Sequence, residues 1–213
     1  MSIIDQTEAY VKEVLKDAES GHDWWHIYRV WQTSKTLAIQ ENADLFVVEL
    51  AALLHDIADS KFNNGDEDIG PEKAGIFLRS INVDEVVVDE VQKIIRNMSF
   101  RASLGNIDYQ SLELKVVQDA DRLDAIGAIG IARAFSYGGF KGREFYNPEI
   151  PPNLNMTKEQ YKMSGAPTIN HFYEKLLKLK DKMNTSSGAH FAAQRHQFLE
   201  IYLEQFYKEW DGK

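Results

Sequence analysis

The sequence contains no cysteine and no long uninterrupted apolar run, and each absence excludes classes of protein. Without cysteine the chain can form no disulfide, no thiolate zinc site and no cysteine nucleophile, which suits a reducing compartment. No segment approaches the roughly 18 consecutive apolar residues of a membrane span. The N-terminus also lacks the basic and then apolar pattern of a signal peptide, so we expect a cytoplasmic protein with no membrane partner.

Positive charge is scarce as well, because 24 lysines and arginines stand against 33 aspartates and glutamates. The formal net charge of -9 argues against a nucleic-acid polymer as partner, since such binding depends on neutralising many phosphates. A small anionic ligand in a local basic pocket is compatible with this charge. The 213 residues, 44% of them hydrophobic, are enough for one globular domain over residues 1–213. The sequence leaves the oligomeric state open, and a homodimer is one alternative.

Proline is rare and clustered, with four of five prolines in one stretch: Pro148, Pro151, Pro152 and Pro167. Elsewhere apolar residues recur at helical spacing without strand-like alternation, which predicts an all-α bundle. Residues 138–168 are expected to form a long irregular flap, followed by two C-terminal helices within about 169–211. The other expected helices are one closed by Ser20 and Gly21, one over 24–41 capped by Asp23, one over 43–58, one from Pro71, one over 84–98 capped by Asp84, and one or two over 112–137.

One apolar run ends in an unexpected way. FVVELAALL, residues 46–54, is apolar on nearly every face and is followed by His55 and Asp56. A helix of this kind is usually buried, and buried ionisable groups are costly unless they are paired or bound to metal. We therefore predict that His55 and Asp56 hold an ion at one edge of this helix, with Asp59 one turn beyond His55.

Two ligands rarely suffice for a metal, and two further candidates lie on apolar helix faces. His26 faces inward early in the second helix, and Asp121 lies on the apolar stripe of residues 114–125. Taken alone, His26 is more simply a hydrogen-bonded core histidine and Asp121 a salt-bridged acid; together with the His-Asp pair they favour a metal site. The C-terminal histidines are expected to be surface or packing residues: His171, His190 and His196.

This pattern resembles the HD-domain superfamily of metal-dependent phosphohydrolases, whose ligands follow the order His, His-Asp, Asp. The resemblance rests on HIYRV, LLHDIAD and DADRLDAIG, and implies a helical bundle with its core over about 21–135. The ligands it implies are His26, His55, Asp56 and Asp121. The stretches HDWWH, YGG and HFYEKLL are also similar to a bacterial subgroup of small HD hydrolases that acts on nucleoside triphosphates.

The spacing of histidines bears on how many metal ions are bound. No histidine lies between Asp56 and Asp121, whereas two-metal branches of the superfamily carry additional histidines there. The resemblance therefore implies one divalent ion. Two imidazoles and two carboxylates suit Mn²⁺, Fe²⁺, Co²⁺ or Ni²⁺, with Mn²⁺ favoured and Mg²⁺ a less suitable alternative.

Such an ion would bind a phosphoryl oxygen and activate a water molecule. Asp59 is the candidate general base, and a solvent-facing acid is the equally weighted alternative. Cations near the site would offset phosphate charge, although each candidate alone is more simply a surface residue. The candidates for substrate binding are His22, Lys61, Arg96, Arg101, Arg122, Lys141 and Arg143.

The expected reaction is cleavage of a nucleoside triphosphate to a monophosphate and pyrophosphate, as the resemblance implies. One alternative is a 5′-nucleotidase or another phosphomonoesterase. Another is a non-catalytic nucleotide sensor that keeps the site for binding only. The absence of intervening histidines argues against an iron-dependent redox enzyme of the same superfamily.

Overall fold

The computed structural model describes residues 1–16, 23–58, 68–98, 109–157, 160 and 163–213. Within these ranges the regular structure is helical and there is no strand, which confirms the predicted all-α fold. No described helix combines the length and apolar character needed to cross a membrane. The chain contacts divide into two compact units, Met1–Asp121 and Arg122–Lys213, and the single domain over 1–213 stays a prediction.

The first unit is organised around one short buried helix. Its helices are α1 (Ile3–Val14), α2 (Trp24–Glu41), α3 (Leu45–Leu54), α4 (Ile69–Ser80), α5 (Glu85–Asn97) and most of α6 (Leu112–Asp124). Helix α3 packs against α1, α2 and α5, while α4 packs against α5. Every residue of α3 from Leu50 to Leu54 is completely buried. The apolar run of residues 46–54 is therefore the centre of this core.

Aspartate side chains begin three of these helices. The carboxylate of Asp23 accepts from the backbone N–H of His26, that of Asp44 from Phe46, and that of Asp84 from Val86. Each bond satisfies a backbone donor that the first turn of a helix leaves without an internal partner. The predicted caps at Asp23 and Asp84 are confirmed.

Several predicted helix boundaries are wrong. The first helix ends at Val14, with Leu15 as its C-cap, before the predicted stop at Ser20 and Gly21. The third helix ends at Leu54, and residues 55–58 form turns in place of the predicted last helical turn. The first-turn proline is placed correctly, because α4 begins at Ile69.

The predicted stretch 112–137 is two helices, and a close backbone contact explains the break. Helix α6 ends at Asp124 and α7 covers Gly127–Phe140, so the predicted end at residue 137 is three residues early. Gly127 has a φ of 74°, which an L side chain rarely adopts. A Cβ at Gly130 would lie 2.2 Å from the carbonyl oxygen of Ala125. The chain can turn here because Gly130 lets that carbonyl lie against α7.

The second unit continues from α7 through an irregular segment to α8 (Thr168–Glu174), a 3-10 helix (Leu176–Lys182) and α9 (Ser186–Trp210). The first of the two predicted C-terminal helices is thus split, because Lys175 leaves helical geometry at φ -137° and ψ -57°. Residues 141–157 contain no helix, as the predicted flap requires. The start of α8 is bonded to this segment, since Thr168 donates its N–H to the carbonyl of Glu144 at 2.9 Å.

The contact at Gly130 predicts a large effect for a very small substitution. Gly130→Ala places a methyl group against the Ala125 carbonyl, so we expect the free energy of unfolding to fall by about 1–3 kcal/mol. Gly139→Ala in the same helix is the matched control, because a Cβ there meets no atom within 4 Å. It should leave stability unchanged or raise it by up to about 1 kcal/mol. Urea unfolding of both variants measures the difference, and equal midpoints would contradict the packing argument.

Candidate metal centre

His26 is placed by the start of α2. Its backbone N–H donates to Asp23 Oδ1 at 3.0 Å, which fixes the first turn of the helix. The residue is 2% exposed, in agreement with its predicted inward orientation. A buried imidazole needs polar partners, and one lies nearby: His26 Nε2 is 3.5 Å from Asp121 Oδ1.

His55 and Asp56 follow the buried end of α3. His55 is the C-cap residue, and its Nδ1 lies 2.8 Å from the carbonyl oxygen of Ala52. A carbonyl only accepts hydrogen bonds, so Nδ1 carries a hydrogen and Nε2 is the nitrogen left to bind a metal. This bond also satisfies one of the carbonyls that the end of α3 leaves without a helical partner. The same contact therefore caps the helix and orients a ligand nitrogen.

The structure brings three of the four predicted ligands into one cluster. One ligand atom each of His26, His55 and Asp56 lies within 4.8 Å of the other two, and the two imidazole rings are 5.5 Å apart. Atoms bound to one ion through bonds of about 2.1 Å lie about 3–4 Å apart. Such an ion fits this cluster with only small movements of the side chains.

Asp121 joins the cluster through His26, at the 3.5 Å separation given above. Its side chain is 43% exposed, so the prediction that it points into the core is wrong. Asp121 lies near the end of α6, where its carboxylate reaches both the buried imidazole and solvent. It gives the cluster an edge that water and a polar ligand can approach, as a catalytic metal centre requires.

The comparisons with known proteins agree with this geometry. The HD domain family model matches residues 24–126, a range that contains His26, His55, Asp56 and Asp121. YpgQ of Bacillus subtilis is 39% identical over 98% of this chain and 94% of its own length. The chain belongs to the HD-domain superfamily.

Solved structures of HD proteins resemble the whole chain and not only the matched range. A crystal structure of an HD-superfamily hydrolase from Bacillus thuringiensis has a TM-score of 0.80 and 46% identity, covering 99% of this chain and 97% of the other. The crystal structure of YpgQ in complex with ADP has a TM-score of 0.76 and 38% identity, covering 97% and 94%. The protein is accordingly a metal-dependent phosphohydrolase of the HD type.

Two buried acids of this HD domain were missed in the sequence. Asp119 is completely buried and Asp124 is 4% exposed, whereas the predicted ligand Asp121 is only half-buried. A signal for Asp119 was present, because Val116 and Leu123 lie at i−3 and i+4 on the same helix face. The environment of Asp124 differs from that of Asp119, since the carboxylate of Asp124 is paired with Arg133.

The predicted substrate-binding cations have different surroundings. Arg96 donates its Nε–H to Asp68 at 3.0 Å, and both side chains are about half exposed or more. Arg122 donates to the carbonyl of Lys182 at 2.8 Å. Lys141 and Arg143 lie together beside Tyr137 in the second unit. Their contact with substrate stays a prediction in each case.

Four predicted site residues fall outside the described part of the chain: His22, Asp59, Lys61 and Arg101. Their roles remain sequence-based predictions. Among the C-terminal histidines, His190 is exposed and His196 is half-buried. His171 is mostly buried, and that burial, with Lys175 and Arg143 nearby, lowers the pKa of its imidazole to about 4. It is a neutral packing residue near pH 7.

The cluster predicts metal loss on removal of either residue of the His-Asp pair. His55→Ala and Asp56→Asn should each weaken binding of a divalent ion by about 100-fold or more, since even outer-shell partners are worth 10–100-fold. The matched controls are His190→Ala and Asp89→Asn, which remove exposed groups of the same types. Elemental analysis after gel filtration gives the metal-to-protein ratio. Full metal retention by the Asp56→Asn variant would contradict the assignment.

Proposed function

We propose that this protein hydrolyses nucleoside triphosphates to nucleoside monophosphates and pyrophosphate with the help of one divalent ion. The observation that carries the proposal is the cluster of His26, His55 and Asp56, with ligand atoms within 4.8 Å of one another. Asp121 completes a set of two imidazoles and two carboxylates. That set favours Mn²⁺ as the ion, because it is too rich in nitrogen for Mg²⁺ and contains no thiolate.

The choice of a nucleotide substrate is supported by a relative. YpgQ has been crystallised in complex with ADP, and it is similar to this chain over nearly its full length. A free nucleotide is also the partner that suits a net charge of -9, since a nucleic-acid polymer requires a far more extended basic surface. The composition of the chain is the reason that we place the reaction in the cytoplasm. A homodimer is compatible with the proposal.

The side chains of the cluster have different roles in the proposed reaction. A divalent ion held there would polarise a phosphoryl oxygen and lower the pKa of a water molecule. His55 is fixed by the Ala52 carbonyl, so its Nε2 lone pair needs no reorientation during the reaction. Asp121, at the exposed edge, lies where the substrate approaches. These residues therefore hold the reacting groups in place at little cost in reorganisation.

The proton and the leaving group must also be accounted for. Water attacks the α-phosphorus, and the bond from that phosphorus to the bridging oxygen breaks. Pyrophosphate leaves with the electron pair, while the proton of the water passes to a general base. Asp59 is our proposed base, because it follows the His-Asp pair by about one helical turn in sequence.

The decisive experiment identifies the products. Metal-stripped protein is supplied with Mn²⁺, Co²⁺, Ni²⁺, Mg²⁺ or Zn²⁺ and a panel of nucleotides, and the products are separated by ion exchange. We expect monophosphate and pyrophosphate, with the highest turnover in Mn²⁺. Reaction in ¹⁸O-labelled water locates the attack, since label in the monophosphate shows attack at the α-phosphorus. Free phosphate released from monophosphates would instead indicate a phosphomonoesterase. The absence of turnover with every metal would indicate a non-catalytic nucleotide sensor.

The proposed base predicts a separation of metal binding from turnover. Asp59→Asn should keep its metal, because Asp59 is outside the four-ligand set, yet lower kcat by about 10²–10⁴-fold, the usual contribution of a general base. The control is Asp89→Asn, which removes an exposed carboxylate from α5. Metal content and kcat are measured on the same samples. Unchanged kcat in Asp59→Asn would assign the proton to another acceptor.

A further inference from the structure

The second unit contains an open cleft at the junction of α7 and the irregular segment. Its volume is about 380 Å³, and it is lined by Tyr137, Lys141, Gly142, Arg143, Ser164 and Gly165. Two of these residues are cations and none is an acid. In a chain with a net charge of -9, this is a local concentration of positive charge, which attracts anions.

Both cations lie around the same aromatic ring. Lys141 Nζ is 5.6 Å from the ring centroid of Tyr137, and Arg143 Cζ is 5.5 Å from it. Lys141 Nζ is also 5.0 Å from the ring of Phe140. The rings attract each cation, but an aromatic ring carries no net negative charge. An anion bound in the cleft would supply the opposite charge that the rings do not provide.

Arg143 is held in a fixed position at the cleft wall. Its Nη2 donates to the carbonyl of Ser164 at 2.5 Å, and its backbone N–H donates to Gly138 at 2.8 Å. Gly142, with a φ of 65°, provides the turn between Lys141 and Arg143. A guanidinium has five N–H donors, so one bond to Ser164 leaves others for the oxygens of a phosphate. A cation fixed in advance binds phosphate with little loss of side-chain freedom.

His171 lies close enough to Arg143 to be affected by its charge. Burial is the main cause of the lowered pKa of His171, and Lys175 and Arg143 lower it further, because both cations oppose another positive charge. The same positive charges would favour an anion near them.

We propose that this cleft binds the phosphate groups of a nucleoside polyphosphate, with Lys141 and Arg143 contacting the phosphate oxygens and Tyr137 positioning both cations. The binding of phosphate by the cleft stands on the geometry of the second unit. The choice of a nucleoside polyphosphate over other phosphate compounds rests on the proposed function. The two parts are tested by separate measurements.

The first measurement concerns the cleft alone. Inorganic pyrophosphate is titrated into the full-length protein in EDTA by calorimetry, so that neither metal nor turnover contributes. Lys141→Gln and Arg143→Gln should each raise Kd by about tenfold, the value of one charge-assisted hydrogen bond. Lys208→Gln removes a paired cation of α9 and should leave Kd unchanged. Equal Kd values in the wild type and both cleft variants would overturn the proposal.

Tyr137 is a positioning residue, and its variants separate the ring from the hydroxyl. Tyr137→Phe keeps the aromatic face and should retain wild-type affinity for pyrophosphate. Tyr137→Leu removes the ring, releases both cations and should weaken binding. The location of the anion is read from the imidazole signals of His171 by NMR. Pyrophosphate should raise the pKa of His171 toward its usual value, and a pKa that does not respond would place the anion elsewhere and overturn the proposal.

The second measurement decides whether the ligand is a nucleoside polyphosphate. With nucleoside triphosphate titrated into the protein in EDTA, Arg143→Gln should raise Kd by about tenfold, while Lys208→Gln should keep the wild-type value. An unchanged Kd for the triphosphate alongside a raised Kd for pyrophosphate would overturn the assignment to a nucleoside polyphosphate. If the protein proves to have no triphosphate turnover, the proposed function fails, and the titration in EDTA still decides whether the cleft binds phosphate.

Discussion

The candidate metal centre depends on one constraint, which is that a buried helix must satisfy its last carbonyl groups without water. Helix α3 lies inside the first unit, packed by α1, α2 and α5, and its final residues are completely buried. The His55 ring takes up the carbonyl of Ala52, so one nitrogen supports the fold and the other is directed to the cluster. The position of the ligand is therefore as rigid as the core that surrounds it.

The two units balance buried charge in different ways. Asp124 is buried against Arg133, and the opposite charges offset the cost of removing the carboxylate from water. The cluster of His26, His55 and Asp56 brings together electron-pair donors, and a cation is the partner that such a set stabilises best. A buried acid beside an arginine therefore contributes to structure, whereas the cluster around the buried imidazole of His26 is suited to a metal.

Much of the fold and the order of the ligands could be predicted from local sequence. Helix α2 has the predicted bounds, because Asp23 caps it and its apolar spacing is regular. The four ligands could be chosen because a His-Asp pair after an apolar helix is unusual, and because His26 and Asp121 lie on apolar stripes. These signals are short in range, and each depends only on neighbours within a few turns.

Tertiary contacts decided where helices stop and how far each site residue is exposed. Helix α3 ends where the imidazole of His55 bonds to the Ala52 carbonyl, and α6 ends where the Ala125 carbonyl lies against Gly130. The exposure of Asp121, and the position of Lys141 beside Tyr137, depend on segments distant in sequence. The sequence by itself determined that the chain is helical and which residues are candidate ligands, because periodicity and capping are local. Only the tertiary structure decided which groups meet, because burial and charge depend on neighbours brought together by folding.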